Sequence, residues 1–500
     1  MNLFTKDATY YANLIKQDKV TSVELVKRAL ANIELLNPML NAVTHVQKEY
    51  ALKRAQVLDE NKDKLHTLPP FYGVPTLLKD VGQQQAGFPA TSGSQLLYQN
   101  IAETTDYFVE RIIEAGFIIV GRSNVPEFAF KGISDSTYTG HVCTPFDLTR
   151  NAGGSSGGAA AALKAGIVPI AMASDGGGSI RLPASFSGLI GLKPSRGRII
   201  VGPSGYRRGH GNAVDFALTR SVRDTWTLLK TLEADQVEAP FNLPLLSEER
   251  LQPIDQPLKI AFSYTSPIGA TVSKTSKDNI TKAVRLLEAL GHELIEISPN
   301  TDDEKLLRTY YKVTSIGAAE MFHKIEDSLG RRLTMQDMEP MTWVMYKAGE
   351  KIPAYELSSI LNFWDQYTVQ REKFIANYDL ALTPITDGPA PKHEQFGYST
   401  YEQEMEQAEH LSEQAIEELI MRIYKKGHDY MGYAFSQNIA GQPAISLPLF
   451  TTADGYPIGT HFWSGKGKEY RLLQLAQQLE EASYLQTDIE RLDKPAENHN

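Results

Sequence analysis

An apolar run, Ile167 to Ala173, leads straight into Asp175-Gly176-Gly177-Gly178-Ser179 and on to Ile180-Arg181-Leu182-Pro183. A chain that buries such a run as a strand must turn sharply where it ends. Consecutive glycines permit that turn, because they reach backbone conformations closed to other residues. Glycines beside a serine also let several N–H groups face one point, which makes a nest for a negative charge. A second stretch, Gly153-Gly154-Ser155-Ser156-Gly157-Gly158, lies upstream and opens an alanine-rich run, Ser156 to Ala165, that reads as a helix. Helix, strand and glycine-rich loop in succession are a pattern of α/β folds.

The rest of the chain extends the pattern. Thr21 and Glu24 fit a capping box, Val26, Leu30, Ile33 and Leu36 repeat at helical spacing, and Asn37-Pro38 is expected to end that helix. Tyr107 to Ala115 reads as helix, and Phe117 to Val120 and Leu258 to Phe262 as strands. Asn279 to Leu290 reads as helix, then Glu293 to Ile297 as strand. Thr301 to Asn377 is mostly helical and more polar, a cap or insertion beside the sheet. Leu380 to Leu382 returns to strand character, and Tyr401 to Lys426 reads as one charged helix with a solvated face. Ala444 to Leu447 and Ile458 to Trp463 close the pattern as strands, and Tyr470 to Leu479 as a helix. There is no internal repeat or low-complexity linker. We expect one continuous α/β domain: N-terminal helices to about 65, a core over 66–230, a variable, largely helical part over 231–430, and closing strands and helix over 431–485. The last dozen residues are polar and are expected to fray.

Charge and cysteine content exclude several functions. The net charge of −10 is small for 500 residues, and no lysine/arginine block offers a nucleic-acid surface. The single cysteine, Cys143, has no intrachain partner, which favours a reducing compartment. With no activating neighbour in sequence, it reads as a packed small residue. No His-Glu-x-x-His or paired-cysteine spacing suggests a metal, and no Gly-Lys-Ser/Thr suggests a P-loop. No organic or metal cofactor is expected. Met1 to Asp7 does not look like a signal peptide, and Gly157 to Ala173 is too glycine- and alanine-rich, and interrupted by Lys164, to span a membrane. A cytoplasmic location is the expectation.

What remains is nucleophile chemistry. Serine is a weak nucleophile until a neighbouring group takes its proton. Lys79, in Gly73-Val74-Pro75-Thr76-Leu77-Leu78-Lys79-Asp80, follows an apolar run and is expected at a strand end near the core. Gly-x-Ser-x-Gly occurs around both Ser155 and Ser156, but a nucleophile elbow needs a strand directly before it, and Pro145 to Asn151 reads as loop. Taken alone, Gly153 to Gly158 also fits a flexible loop.

Together, the Gly153-to-Pro194 signature, the Gly-Val-Pro-x-x-x-Lys-Asp context of Lys79 and the spacing of Ser155 and Ser179 resemble the amidase signature family of serine hydrolases. The resemblance is strong over about 70–225 and looser elsewhere. It implies Ser179 as nucleophile, Ser155 as a bridging serine on a cis peptide bond and Lys79 as base. It further implies an oxyanion hole from the amides of Gly176, Gly177, Gly178 and Ser179, with Ser156, Asp175 and Arg181 in support. Lys79 must then be neutral, so its pKa must fall toward about 7–8 from about 10.4. Members usually carry a larger residue where this chain has Gly176. The implied activity is hydrolysis of a small-molecule amide. Tyr378 to Pro384 and Asn438 to Pro443 carry a weaker likeness to hydrolases of small linear or cyclic amides of the nylon-oligomer type. Two other readings stay open: the A subunit of a glutamyl-tRNA amidotransferase, whose tyrosine- and glycine-rich segment is not found at Lys312 to Ile325, and a catalytically silent binding protein on the same fold. A homodimer is common in such families.

Overall fold

The computed structural model describes residues 2–247 and 252–489. Among them, eleven strands form one mixed sheet. From one edge to the other these are Val43–Val46, Ile118–Ser123, Pro75–Lys79, Ala171–Asp175, Val214–Thr219, Ile190–Lys193, Ala444–Thr451, Pro457–Trp463, Leu380–Thr383, Lys259–Phe262 and Glu293–Glu296. Pro75–Lys79 runs parallel to both of its neighbours, whereas the centre of the sheet is antiparallel. Its strands are buried over nearly their whole length, because helices cover both faces. The α/β fold with a mixed sheet between helices is therefore as the sequence implied. The main core runs from Phe4 to Leu479 along the sheet. A second core sits among the helices Asp303–Leu329, Pro340–Lys351, Ala354–Ile375 and Glu413–Met431, around Phe322, Trp343, Tyr346 and Trp364. No helix among the described residues is long and apolar enough to cross a membrane.

The expected elements are present, with four corrections. The helix capped by Thr21 and Glu24 passes Pro38 and ends at Leu40. Pro38 has no N–H to give the Glu34 carbonyl, the helix stops two residues later, and Asn41 takes the left-handed conformation. The strand foreseen at Ile167 begins at Ala171, after a turn. The run 145–151, read as loop, holds the strand Asp147–Asn151, which forms a hairpin with Cys143–Thr144 apart from the main sheet and bridges to Lys392 through Arg150. The charged helix starts at Glu413 and extends to Met431, and one of its faces is buried through Ile416, Leu419, Ile420, Ile423 and Tyr424. Its apolar positions recur at helical spacing, a signal that the density of charge conceals. The expected fraying of the last dozen residues lies almost wholly outside the described residues.

Candidate active site

Leu77 pairs with Ala171, so the parallel strands Pro75–Lys79 and Ala171–Asp175 deliver Lys79 and Ser174 to the same edge of the sheet. Ligands of open α/β sheets bind at such carboxyl ends. Lys79 is completely buried. Its Nζ donates to Ser155 Oγ at 2.7 Å, to Ser174 Oγ at 3.0 Å and to the Ser174 carbonyl at 3.3 Å. Burial pushes Lys79 down to about 7; Asp175 opposes that fall and Arg208 adds to it. A displacement of this size corresponds to about 5 kcal/mol between the charged and neutral forms. The ammonium is disfavoured because it has left water and its nearest partners are uncharged oxygens.

Ser155 follows the hairpin strand Asp147–Asn151, and the Gly154–Ser155 peptide is cis. A Cβ at Gly154 would fall 2.7 Å from the backbone of Ile133, so only glycine lets the two segments meet. Ser156 stands at the start of the helix Gly157–Lys164, and its Oγ donates to the Ser174 carbonyl at 3.3 Å. It thereby ties the first glycine stretch to the end of the strand that holds the second.

Asp175 organises that second stretch. Its Oδ1 accepts from the Gly178 amide at 2.7 Å, from Arg181 Nη2 at 3.0 Å and from Asn438 Nδ2 at 2.9 Å. Its Oδ2 accepts from the Ile180 amide at 3.2 Å and from Arg181 Nε at 2.9 Å. Burial alone would raise the carboxyl pKa, but Arg181 and these donors hold it well below the usual carboxylate range. Arg181 Nη1 also donates to His461 Nε2 at 3.2 Å, an imidazole kept neutral by burial and by Arg181 itself.

The Gly178 amide is thus already committed. Among the described residues no group accepts from the amides of Gly176, Gly177 or Ser179. The three glycines differ in what requires them. Gly178 has φ 136° and lies against Ala434, and a Cβ on Gly177 would sit 2.7 Å from Tyr310 Oη. Gly176 has neither constraint: a Cβ there would meet Ala213 at an ordinary 3.7 Å, so the larger residue that the resemblance led us to expect would fit.

Ser179 is half-buried and opens into a pocket of about 100 Å³, whose walls include Gly177, Leu182, Tyr310, Met345, Met431 and Phe435. Its hydroxyl makes no hydrogen bond among the described residues. The geometry therefore contains the Lys79–Ser155 link, and Ser179 lines the pocket with its hydroxyl unpaired among the described residues. Cys143 lies apart, half-buried, with its Sγ 3.6 Å from His393 Nε2 and its thiol pKa raised by burial and Asp147. No group of three or more His, Cys, Asp or Glu among the described residues could hold a metal ion.

Sequence reasoning missed four participants. Ser174 precedes the glycine loop by two positions and carries no mark of its own. Asn438, which also donates to the Asp175 carbonyl at 2.9 Å, lies in the Asn438-to-Pro443 run that was noticed only as a likeness. Lys193 is a second fully buried lysine, pushed to about 7 by burial and Arg181. Tyr310 belongs to the helix Asp303–Leu329, where nothing in the local sequence distinguishes it from its neighbours.

Residues 24–473 match the family model for Amidase. The chain is 36% identical over 491 residues to lipoamidase of Enterococcus faecalis, covering 97% of this chain but 65% of the relative, so it spans about two thirds of that protein's length. It is 29% identical over 501 residues to 6-aminohexanoate-cyclic-dimer hydrolase of Paenarthrobacter ureafaciens, covering 95% of this chain and 94% of the relative. A solved structure of 6-aminohexanoate cyclic dimer hydrolase complexed with substrate superposes with a TM-score of 0.85 at 27% identity, over 98% of this chain and all of the other. Fold and likeness together define a hydrolase acting on carbon–nitrogen bonds of amides other than peptide bonds. The chain belongs to the amidase signature family.

Proposed function

We propose that the protein hydrolyses a small-molecule amide through an acyl-enzyme on Ser179, with Ser155 as proton relay and Lys79 as base. The observation that carries this reading is the 2.7 Å contact between Ser155 and a fully buried Lys79 whose pKa is near neutrality. A base works best when its pKa lies near the working pH. Ser179 Oγ attacks the amide carbon, its proton passes to Ser155 Oγ, and the proton of Ser155 passes to Lys79 Nζ. The carbonyl π electrons move onto oxygen, where the amides of Gly176, Gly177 and Ser179 meet the charge; Gly178 serves by fixing the loop through Asp175. On collapse the C–N bond breaks, and the departing nitrogen takes the proton back from Lys79 through Ser155. Water then attacks the ester by the same relay, releasing the acid and returning the proton to Ser179. No step uses a metal or an organic cofactor.

Aromatic and thioether walls suit an apolar acyl arm better than a charged one. Lipoamide and the 6-aminohexanoate cyclic dimer, named for the relatives' chemistry, are therefore the substrates to try first, beside simple aliphatic amides. Treatment with a fluorophosphonate should place one adduct on Ser179 by peptide mass spectrometry and abolish hydrolysis, and Ser179→Ala should be folded and inert. An adduct on Ser155 or Ser156 would overturn the assignment.

A further inference from the structure

We propose that Tyr310 is a catalytic residue of this enzyme, its phenol hydroxyl donating a hydrogen bond to the oxyanion that forms at the Ser179-bound carbonyl. The proposal rests on Ser179 being the nucleophile.

Tyr310 comes from the helical part of the chain, far in sequence from the glycine loop, yet its hydroxyl meets that loop at Gly177. Its hydroxyl lies 2.7 Å from where a Cβ of Gly177 would be, a distance no real side chain at 177 could tolerate. Gly177 therefore keeps clear the space that this hydroxyl occupies. Tyr310, Gly177 and Ser179 line the same pocket, so a bound substrate meets all three together. The loop also lacks a donor at Gly178, whose amide is held by Asp175 at 2.7 Å. A hydroxyl standing over Gly177 supplies a replacement from the opposite wall. Burial raises the phenol to about 12, Asp175 adding to the rise and the Thr314 hydroxyl opposing it, so the group is a proton-bearing donor wherever Lys79 is neutral and Tyr310 still protonated.

The ring is well fixed. It packs edge-on to Tyr311 at 5.4 Å and against Phe435 at 6.4 Å. Tyr311 is in turn held by its 2.6 Å contact with His428 Nε2. Just before Tyr310 on the helix, Thr309 Oγ1 accepts from Trp364 Nε1 at 2.9 Å. A donor anchored in this way costs no reorganisation at the moment of reaction.

Tyr310→Phe keeps the ring and its contacts and removes only the hydroxyl. Turnover of the parent and Tyr310→Phe should be compared on an amide and on the ester of the same acyl group, with fluorophosphonate labelling of both proteins. Loss of one oxyanion donor should lower kcat by about 100-fold on both substrates, leave KM nearly unchanged, and slow labelling of Ser179. The acid limb of the pH profile, which belongs to Lys79, should keep its midpoint. A loss confined to the amide would place Tyr310 at the departing nitrogen and overturn the proposal. So would a rise in KM at constant kcat, or parental rates in Tyr310→Phe. A parent that is not labelled at Ser179 would instead overturn the acyl-enzyme reading beneath it. Gly177→Ala provides the second test should Tyr310→Phe not fold. Its methyl group must push the hydroxyl away, so kcat should fall on amide and ester alike; unchanged kcat in folded Gly177→Ala would overturn the proposal.

Discussion

At the sheet, Lys79, Asp175, Arg181 and Lys193 are all withdrawn from water, and burial or a close ionic partner displaces both lysines and the carboxylate far from their ordinary pKa values. Among the helices, Lys312 meets Glu356, Glu413 and Glu417 in a half-exposed cluster, and these partners raise its pKa in the usual direction for a paired ammonium. Both regions are rich in charge, yet the lysines at the sheet edge are pushed down by removal from water, whereas Lys312 is raised by its carboxylate partners. Buried charge is expensive without pairing, so its presence at the sheet edge marks chemistry. The Lys312 cluster is ordinary surface charge, and what the helical half brings to the pocket is shape, aromatic wall and the Tyr310 hydroxyl.

If this contrast holds, the two regions should respond to mutation in different ways. The largest effect is expected from Lys79→Met, which should lower kcat/KM by about 10³-fold or more, as removal of a general base acting through a nucleophile does. In the parent, kcat/KM should fall as the pH drops through about 7, because protonated Lys79 cannot accept the proton from Ser155. The same displacement has a stability consequence. The unfolded lysine holds its proton up to 10.5 and the folded one loses it near 7, so the fold should gain stability as the pH rises across that window. Lys79→Met should remove part of the gain, as denaturant titrations at several pH values would measure; Lys193, displaced in the same way, contributes as well. An acid limb unchanged in Lys79→Met would assign the titration elsewhere and break the contrast.

The next largest effect sharpens the role of the relay. Ser155→Ala should reduce turnover by at least about 100-fold while the protein remains folded, because Lys79 loses its path to Ser179. Parental turnover would favour a direct serine–lysine pair. The smallest effect lies in the other region. Lys312→Met removes a half-exposed ion-pair network and should cost at most about 1 kcal/mol of stability with kcat unchanged. A large kinetic effect there would mean that the surface charge of the helices also acts on the site.

The principal groups were legible because local chemistry marks them. Three glycines before Ser179, the paired serines at 155 and 156, and a lysine closing an apolar run are conspicuous in any reading of the chain. Asp175 and Arg181 were legible as supports by their position beside the loop, but not what they do: one carboxylate accepts the Gly178 and Ile180 amides together with Arg181 and Asn438. That network takes Gly178 out of the set of free donors, which no count of glycines could foresee. The strand at Asp147–Asn151 was hidden because its polar residues pair in a small hairpin with no buried face to impose alternation.

The sequence by itself determined the alternation of helix and strand, the glycine-rich turns and the kinds of reactive group the chain carries, since each depends on residues near one another along the backbone. Only the tertiary structure decided which groups meet and in what state. Parallel pairing of Pro75–Lys79 with Ala171–Asp175 brings Lys79 to Ser174, the close approach at Gly154 seats Ser155 beside it, and the helix Asp303–Leu329 places Tyr310 over Gly177. The lowered pKa of Lys79 belongs to that packing as well, because a value near 7 follows from the water that the assembled fold excludes, and exclusion is a property of the whole core.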